Sequence, residues 1–361
     1  IHIVTVLWKS AEFLPALFEG LAHLDYPREL LEMHFVDNNP GDGSRSAVER
    51  LAHEYGDRIP RVVIHDPGWN SGFAGGNNFV LRKTIAQNIP YAYLLNHDAS
   101  FEPNALQEAV LVAESDPCIG SVQSLLVLQQ NPDEVNSRGN AIHYLGMGYC
   151  LGYHERRTSQ ATIPQSIAYA SGAAVLYPTR VLKEVGLFDE TLWMYHEDLD
   201  LGWRILLAGF RNVLAPKSVV RHRYEFSRSI SKWYWMERNR IAVVLKNYRL
   251  PTIAILLPQL FIADLALFAY ALKGGYWREK LKASLWFFTP RAWSFILRGR
   301  REIARIRKMP DRIIFDSMTP IIAYQEFEDP FLKTVVNPVW RMLFVLVKAM
   351  VVWLYEGDSH R

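Results

Sequence analysis

The strongest constraint on this chain is an alternation near its start. Four apolar runs of strand length, the β-branched HIVTVLW (2–8), then MHFVDNN (33–39), RVVIHD (61–66) and YAYLLNHD (91–98), are separated by stretches that include helical periodicity. Residues 11–24 place Phe13, Leu14, Leu17, Phe18, Leu21 and Leu24 on one helical face. A further helix is predicted over 77–87, after a glycine-rich turn. Strands alternating with helices over short loops predict an α/β domain on a mainly parallel sheet, flanked by helices. In such sheets ligands bind beyond the carboxyl ends of the strands. Those ends carry Trp8, then Asp37-Asn38-Asn39, then Asn70 onward, then Asn96-His97-Asp98. Each alone reads as turn chemistry. Four in succession point to one shared crevice.

Composition sets the outer limits. At 361 residues the chain exceeds one ordinary core of roughly 100–150 residues. Its 50% hydrophobic and 21% charged residues exclude wholesale disorder. A mean hydropathy of −0.03 excludes a polytopic membrane protein. Cys118 and Cys150 supply neither a disulfide framework nor a zinc cluster and suit a reducing compartment. No signal peptide is read in the given residues. The net charge of +3 hides an asymmetry, because residues 1–225 hold 18 Lys/Arg against 26 Asp/Glu and residues 226–361 hold 22 against 11. Seven of the eleven Trp also lie in the later segment. A boundary is therefore placed near residue 225, with one domain over 1–225 and a second region over 226–361.

Several motifs in the first segment have chemical meaning. WNSGFAGGNN (69–78) combines glycines, which let a backbone approach a ligand closely, with a helix start that favours a diphosphate. Its spacing fits neither GxxxxGK[ST] nor GxGxxG, and a tight strand-to-helix turn explains it equally well. Asp98 follows a buried run, where a carboxylate holds Mg²⁺ or Mn²⁺ against a diphosphate or caps a helix near 103–113. In MYHEDLDLGWRILLAGF (194–210), Glu197, Asp198 and Asp200 precede a helix. They either complement its dipole or supply a general base. KSVVRH (217–222) delivers His222 at a strand end, a candidate metal ligand.

Taken in order, these pieces resemble family 2 glycosyltransferases of the GT-A fold, with a closer likeness to the bacterial rhamnosyltransferase-type branch. The likeness runs from IHIVTVLWKS through VDNNPGDGS, NSGFAGGNN, LLNHDASFEPNAL, SGAAVLY and GLFDETLWMYHEDLDLGWRILLAGF to VVRH and WYWMERNR. It covers roughly residues 1–245. The resemblance implies that Trp8 and Asp37 contact the nucleotide base and ribose, with Thr5 nearby. Asn70, Gly72, Gly75 and Asn77 border the nucleotide-sugar. Asp98 stands at the last position of the family's Asp-x-Asp metal motif, with Asn96 at the first. His222 matches the distal metal ligand and Asp198 the catalytic base, with Glu197, His97 and Trp193 as acceptor-side or supporting residues. Many relatives carry Pro at the position of His97 and Tyr at that of Trp8. The implied reaction is inverting, single-displacement transfer from a nucleotide-diphosphate sugar, dTDP-rhamnose first. Transfer of another hexose or galactofuranose from a UDP-sugar, and a catalytically silent glycolipid-binding scaffold, are the alternatives.

The later segment reads differently. Residues 251–272 are long and apolar enough to span a bilayer, but Asp264, Pro251 and Pro258 weigh against a simple span. A re-entrant or interface-lying helix is an equal expectation, and a helix packed on the catalytic domain a third. Residues 273–308 hold eleven Lys/Arg, only Glu279 and Glu302 as acids, and interleaved Trp and Phe, the pattern of a helix lying on an anionic membrane. No recognised nucleic-acid module accompanies that charge, so no nucleic-acid partner is expected. Residues 338–355 are predicted as an amphipathic helix, with Arg341 and Lys348 opposite Leu343, Phe344, Val347, Met350, Val351 and Leu354. An ordinary core-facing helix or an oligomer contact is the plainer reading. Membrane association points to a lipid-linked acceptor, such as a polyprenyl-diphosphate glycan, and to the cytoplasmic face of the cell membrane.

Overall fold

The structure is a computed structural model that describes residues 1–159, 162–224, 233–323 and 330–355. Its strands are β1 (His2–Leu7), β2 (Glu32–Asp37), β3 (Arg61–His65), β4 (Tyr91–Leu95), β5 (Ala99–Phe101), β6 (Ile119–Leu128), β7 (Asn131–Ser137), β8 (Asn140–His143), β9 (Gly148–Cys150), β10 (Gln165–Ile167), β11 (Ala174–Pro178), β12 (Arg211–His222) and β13 (Met318–Thr319). The first six helices are α1 (Leu14–Ala22), α2 (Ser44–Tyr55), α3 (Gly72–Ala86), α4 (Ala105–Ser115), α5 (Thr179–Val185) and α6 (Glu197–Leu207). After them come α7 (Trp233–Asn247), α8 (Leu250–Lys273), α9 (Trp277–Trp286), α10 (Pro290–Ile306), α11 (Asp311–Asp316) and α12 (Asn337–Tyr355).

By backbone contacts the chain forms two compact units, one of Ile1–Asn140, Cys150–Ile205 and Phe210–Tyr224, the other of Ala141–Tyr149, Leu206–Gly209 and Glu225–Arg361. The first unit carries a ten-stranded sheet ordered β10-β12-β6-β11-β4-β1-β2-β3, with β5 on β12 and β7 on β6. Strands β4, β1, β2 and β3 are parallel, as the alternation predicts. β11 then inserts antiparallel to both β4 and β6, which makes the sheet mixed. Strand order reverses at the β1/β4 pair, and that switch point opens a crevice at the carboxyl ends of these strands. The core below it is apolar: Leu14, Leu17, Phe18 and Leu21 of α1 are buried against Ile3, Met33 and Phe35, and Phe18 stacks on Phe35 at 5.7 Å.

Two local expectations change. Helix α3 begins at Gly72, five residues earlier than predicted, so Gly75 and Asn77 lie inside its first turns rather than in a preceding loop. Close packing explains this, since a Cβ at Gly76 would lie 2.8 Å from Val6 Cγ2 and one at Gly75 2.8 Å from Ser71 Cβ. Glycine costs about 1 kcal/mol in a helix but permits this approach of helix to strand. Likewise α4 starts after Asn104, so Asp98 does not cap it.

In the second unit α8 runs unbroken through Pro258, which the sequence marks as a breaker; Pro251 sits in the first turn, where the missing N–H is harmless. Helix α12 departs from a simple two-faced pattern. Trp340, Val347, Val351 and Tyr355 are buried, and Phe344 lies 5.2 Å from the Tyr144 ring. Yet Met342, Val345, Leu346, Met350 and Trp353 are exposed, so apolar residues face both ways. Lys348 pairs with Asp316 Oδ1 at 2.6 Å. The segments Leu250–Lys273 and Leu332–Tyr355 are each long and apolar enough to cross a membrane.

Candidate active site

At the switch point, His97 Nδ1 donates to the Val6 carbonyl at 3.3 Å, tying the end of β4 to the end of β1. Trp8 emerges beside it, 43% exposed. Thr5, expected near the donor, is buried one pleat below, and its hydroxyl donates to the Leu95 carbonyl at 2.7 Å. It holds β1 to β4. Asp37 is buried at the end of β2; burial raises its carboxyl above the ordinary value, opposed by a hydrogen bond from the Asn39 amide. Asn38, outside the predicted set, links two site loops, donating to Gly72 O at 2.8 Å and accepting from Ser71 Oγ at 2.9 Å.

The glycine-rich segment forms the next wall. Asn70 Oδ1 accepts from the Gly72 amide at 2.9 Å, and Asn77 Nδ2 donates to Phe73 O at 2.9 Å. Gly72 has φ +71°, and a Cβ there would fall 2.5 Å from both Trp193 Cδ1 and Trp193 O. This position therefore requires glycine twice over. Ala74 N donates to that same Trp193 carbonyl at 3.1 Å, so the start of α3 and the Trp193 loop are fastened together.

Asp98 and His222 meet. Ala99 and His222 are register partners of β5 and β12, and Nε2 of His222 lies 3.3 Å from Asp98 Oδ1 with both residues buried. The Nδ1–H of His222 donates to Asn136 Oδ1 at 2.9 Å. That oxygen only accepts, so a neutral His222 turns its Nε2 lone pair toward Asp98 Oδ1 across a gap suited to a cation. The donor set, one carboxylate and one imidazole oriented by an amide, fits a divalent metal. Asn96, at the preceding turn, donates its backbone amide to Ala173 O at 2.9 Å and is half-buried.

The acidic cluster sorts its three carboxylates. Asp200 is fully buried and bonded to Arg204 Nε at 3.0 Å, while Arg204 also donates to the carbonyls of Val185 and Leu187 at 2.6 and 2.7 Å. It is a structural pin. Asp198 accepts instead from two backbone amides, Gly172 at 3.2 Å and Leu199 at 2.7 Å. Burial pushes its carboxyl up to about 6 against those bonds. Glu197 is raised well above its ordinary value by burial and by the charge of Asp198. Its Oε2 is buried without a hydrogen-bond partner among the described residues. Burial thus favours the protonated form of both carboxyls. The loop before them is strained, since Trp193, Tyr195 and His196 all have φ near +64°, +63° and +65°. Such conformations cost about 1–3 kcal/mol each and gather where geometry is held for function.

Sequence reasoning missed Asn136, which lies in the polar run NPDEVNS, and Gly172, whose amide is what matters. Neither has a local signal. Only the pairing of β6 with β7 and the turn before β11 bring them to His222 and Asp198.

Comparison with known proteins agrees with this geometry. The profile described as "Glycosyl transferase family 2" matches residues 2–186. The chain belongs to glycosyltransferase family 2. It is a glycosyltransferase of GT-A fold with helices following the catalytic unit. It is 27% identical over 236 residues to an N-acetylglucosaminyl-diphospho-decaprenol L-rhamnosyltransferase of Mycobacterium tuberculosis, covering 58% of this chain and 72% of that relative. A low-salt glycan biosynthesis hexosyltransferase of Haloferax volcanii is 22% identical, over 56% of this chain and 61% of the relative. Among solved structures, GalNAc-T7 with UDP, GalNAc and Mn²⁺ aligns at TM-score 0.52 and 16% identity over 67% of this chain, which spans about half (47%) of that structure. The mannosyltransferase PcManGT of Pyrobaculum calidifontis with GDP-Man and Mn²⁺ aligns at TM-score 0.50 and 13% identity, over 100% of this chain and 87% of that one. These two show the shared fold.

Proposed function

We propose that this glycosyltransferase moves a sugar, rhamnose first, from a nucleotide-diphosphate donor onto a hydroxyl of a lipid-linked glycan at the cytoplasmic membrane surface, with inversion. The observation that supports it most is the buried Asp98–His222 pair at the β1/β4 switch point, where a donor diphosphate would lie. Asp98 and His222 would hold Mg²⁺ or Mn²⁺, which when bound offsets charge on the leaving diphosphate. Trp8, exposed at the crevice edge, presents a ring for the nucleotide base, and buried Asp37 an acceptor for ribose hydroxyls. Gly72 and Gly75 let the backbone approach the donor.

Asp198 takes the proton from the acceptor hydroxyl as its oxygen attacks the anomeric carbon and the nucleoside diphosphate departs. A carboxyl near 6 suits this role, because it is ionised at neutral pH yet more basic than an ordinary Asp. Burial and the charge of Asp198 both oppose ionisation of Glu197, and so oppose a second negative charge beside the base. The relative that uses diphospho-decaprenol, together with two apolar C-terminal segments, supports a lipid-linked acceptor. Asp264 pairs with Arg240 Nη2 at 3.2 Å and with Lys280, so the charge that weighs against membrane contact of α8 is neutralised.

The test is nucleoside-diphosphate release by detergent-solubilised protein from a panel of nucleotide sugars and lipid-linked acceptors, with and without Mn²⁺ or Mg²⁺. Metal-dependent release from dTDP-rhamnose, lost in Asp98→Ala, is expected. Release from a UDP-sugar alone would replace the donor, and metal-independent release unchanged in Asp98→Ala would overturn the site.

A further inference from the structure

A second constellation lies on the α3-facing side of the sheet and plays no part in the transfer chemistry. His2 pairs in register with Glu32, Val4 with His34, and Val36 with His65, so the three histidines climb one face of β1, β2 and β3. The His2 and His34 rings lie 4.3 Å apart, and His34 stacks on His65 at 5.2 Å. A buried row of imidazoles is a poor hydrophobic surface.

We propose that His2, Glu32 and His34 form a metal site for a borderline divalent ion of the Zn²⁺ type, separate from Asp98 and His222. Glu32 Oε2 lies 3.5 Å from His2 Nε2 and 3.8 Å from His34 Nε2, and the three ligand atoms all fall within 4.8 Å of one another. Tetrahedral zinc with bonds of about 2.0–2.1 Å places its ligands roughly 3.3–3.4 Å apart, so a contraction of a few tenths of an ångström at Glu32 and of at most about 1.4 Å between the histidines completes it. Two nitrogens and one carboxylate oxygen, with an open fourth position, are a donor set that zinc takes readily.

The surroundings already orient the His2 imidazole for ligation and hold the His34 ring in place. Thr84 Oγ1 donates to the Val80 carbonyl at 3.0 Å, so toward His2 Nδ1, 2.9 Å away, it accepts. The proton of His2 therefore sits on Nδ1, and Nε2 turns its lone pair to Glu32. His34 Nε2 is buried without a hydrogen-bond partner among the described residues, an otherwise costly state for a ring nitrogen. The exposed Lys83 Nζ donates to His65 Nδ1 at 3.2 Å, so His65 Nε2–H donates to His34 Nδ1 at 2.9 Å and holds that ring in place. The proton of a neutral His34 therefore sits on Nε2, and a metal that binds there releases a proton. A cleft of about 440 Å³, lined by His2, Glu32 and Arg61 among others, gives an ion its way in.

The 361-residue chain, stripped with a chelator, is titrated with Co²⁺ while the visible absorption of tetrahedral Co²⁺ is followed, and then with Zn²⁺ in competition. One equivalent of tetrahedral Co²⁺, displaced by Zn²⁺ and retained in Asp98→Asn, is expected. Glu32→Gln and His34→Gln are expected to weaken binding by about 100-fold or more. Glu32 is partly exposed, so its variant keeps the test valid if His34→Gln fails to fold. No tetrahedral Co²⁺, or binding that vanishes in Asp98→Asn and persists in Glu32→Gln, would overturn the proposal. The site stands independently of the donor and acceptor assignments.

Discussion

Each unit buries an acidic cluster, and the two are handled in opposite ways. In the second unit, Glu237 is buried with Arg240 Nη2 at 3.1 Å and Lys280 Nζ at 2.9 Å. Burial pushes its carboxyl up, but the two cations overcome it and hold the group down at about 2. In the first unit, among the described residues, Asp198 is hydrogen-bonded by backbone amides and Glu197 has an oxygen without a partner, so burial wins and both rise. A buried carboxylate with cations is held in one charge state and serves the fold. One without cations is left able to change state, which catalysis by proton transfer needs.

The largest test of this contrast is activity. Asp198→Asn is expected to lower the transfer rate by about 10²–10⁴-fold, with donor affinity measured by calorimetry nearly unchanged. Retained turnover would remove Asp198 from the chemistry. Next is stability, where the two clusters should give opposite signs in denaturant unfolding. Glu237→Gln removes the buried carboxylate shared by Arg240 and Lys280, leaving them Asp264, and should destabilise by about 3–5 kcal/mol. Asp198→Asn should stabilise by about 1–3 kcal/mol, because it removes a group whose ionisation folding opposes. Equal signs would end the comparison.

The pH dependence sharpens the same point. Asp198 has a folded value above its unfolded one, so its stabilising contribution is present in acid and is lost as pH rises through about 6. If Asp198 is the proposed base, the ionised form is the active one and kcat/KM should climb over that window. In the second unit the signs reverse. Glu237 contributes above its ordinary value near 4.5, and this is lost as pH falls toward 2. His143 is buried, with Nε2–H on the Pro320 carbonyl at 3.1 Å and Nδ1 accepting from the Leu145 amide at 3.2 Å. Burial lowers it to about 3, so it charges in the unfolded chain first and stability falls as pH drops below about 6.5. Tyrosine and tryptophan fluorescence across pH 3–8 would read the acid limb. The smallest expected effect is at the surface: Trp353→Ser, at a residue 76% exposed, should change stability by less than about 0.5 kcal/mol. It should still weaken sedimentation with anionic vesicles, and unchanged sedimentation would count against α12 as a membrane contact.

Much of the first unit was legible because its signals are local. Strand-length apolar runs located β1 to β4, with the polar residues at the ends of the MHFVDNN and YAYLLNHD runs falling just past the strands. The helix of 251–272 was legible by its length and apolarity, but its charge was not. Asp264 looks unfavourable in isolation and turns out to be paired with Arg240 and Lys280, which lie 24 and 16 residues away.

What the sequence by itself determined is the order of elements and the types of residue at strand ends, since alternation and helical period depend on near neighbours. Only tertiary structure decided which of Glu197, Asp198 and Asp200 is free to take a proton. That choice rests on Arg204 reaching Asp200, on the Gly172 amide reaching Asp198 and on the absence of any cation beside Glu197 among the contacts described. The same holds for His2, Glu32, His34 and His65, which fall on three strands and become a cluster only through parallel register. A pKa or a ligand set is a property of what surrounds a group within a few ångströms, and folding, not sequence adjacency, chooses those neighbours.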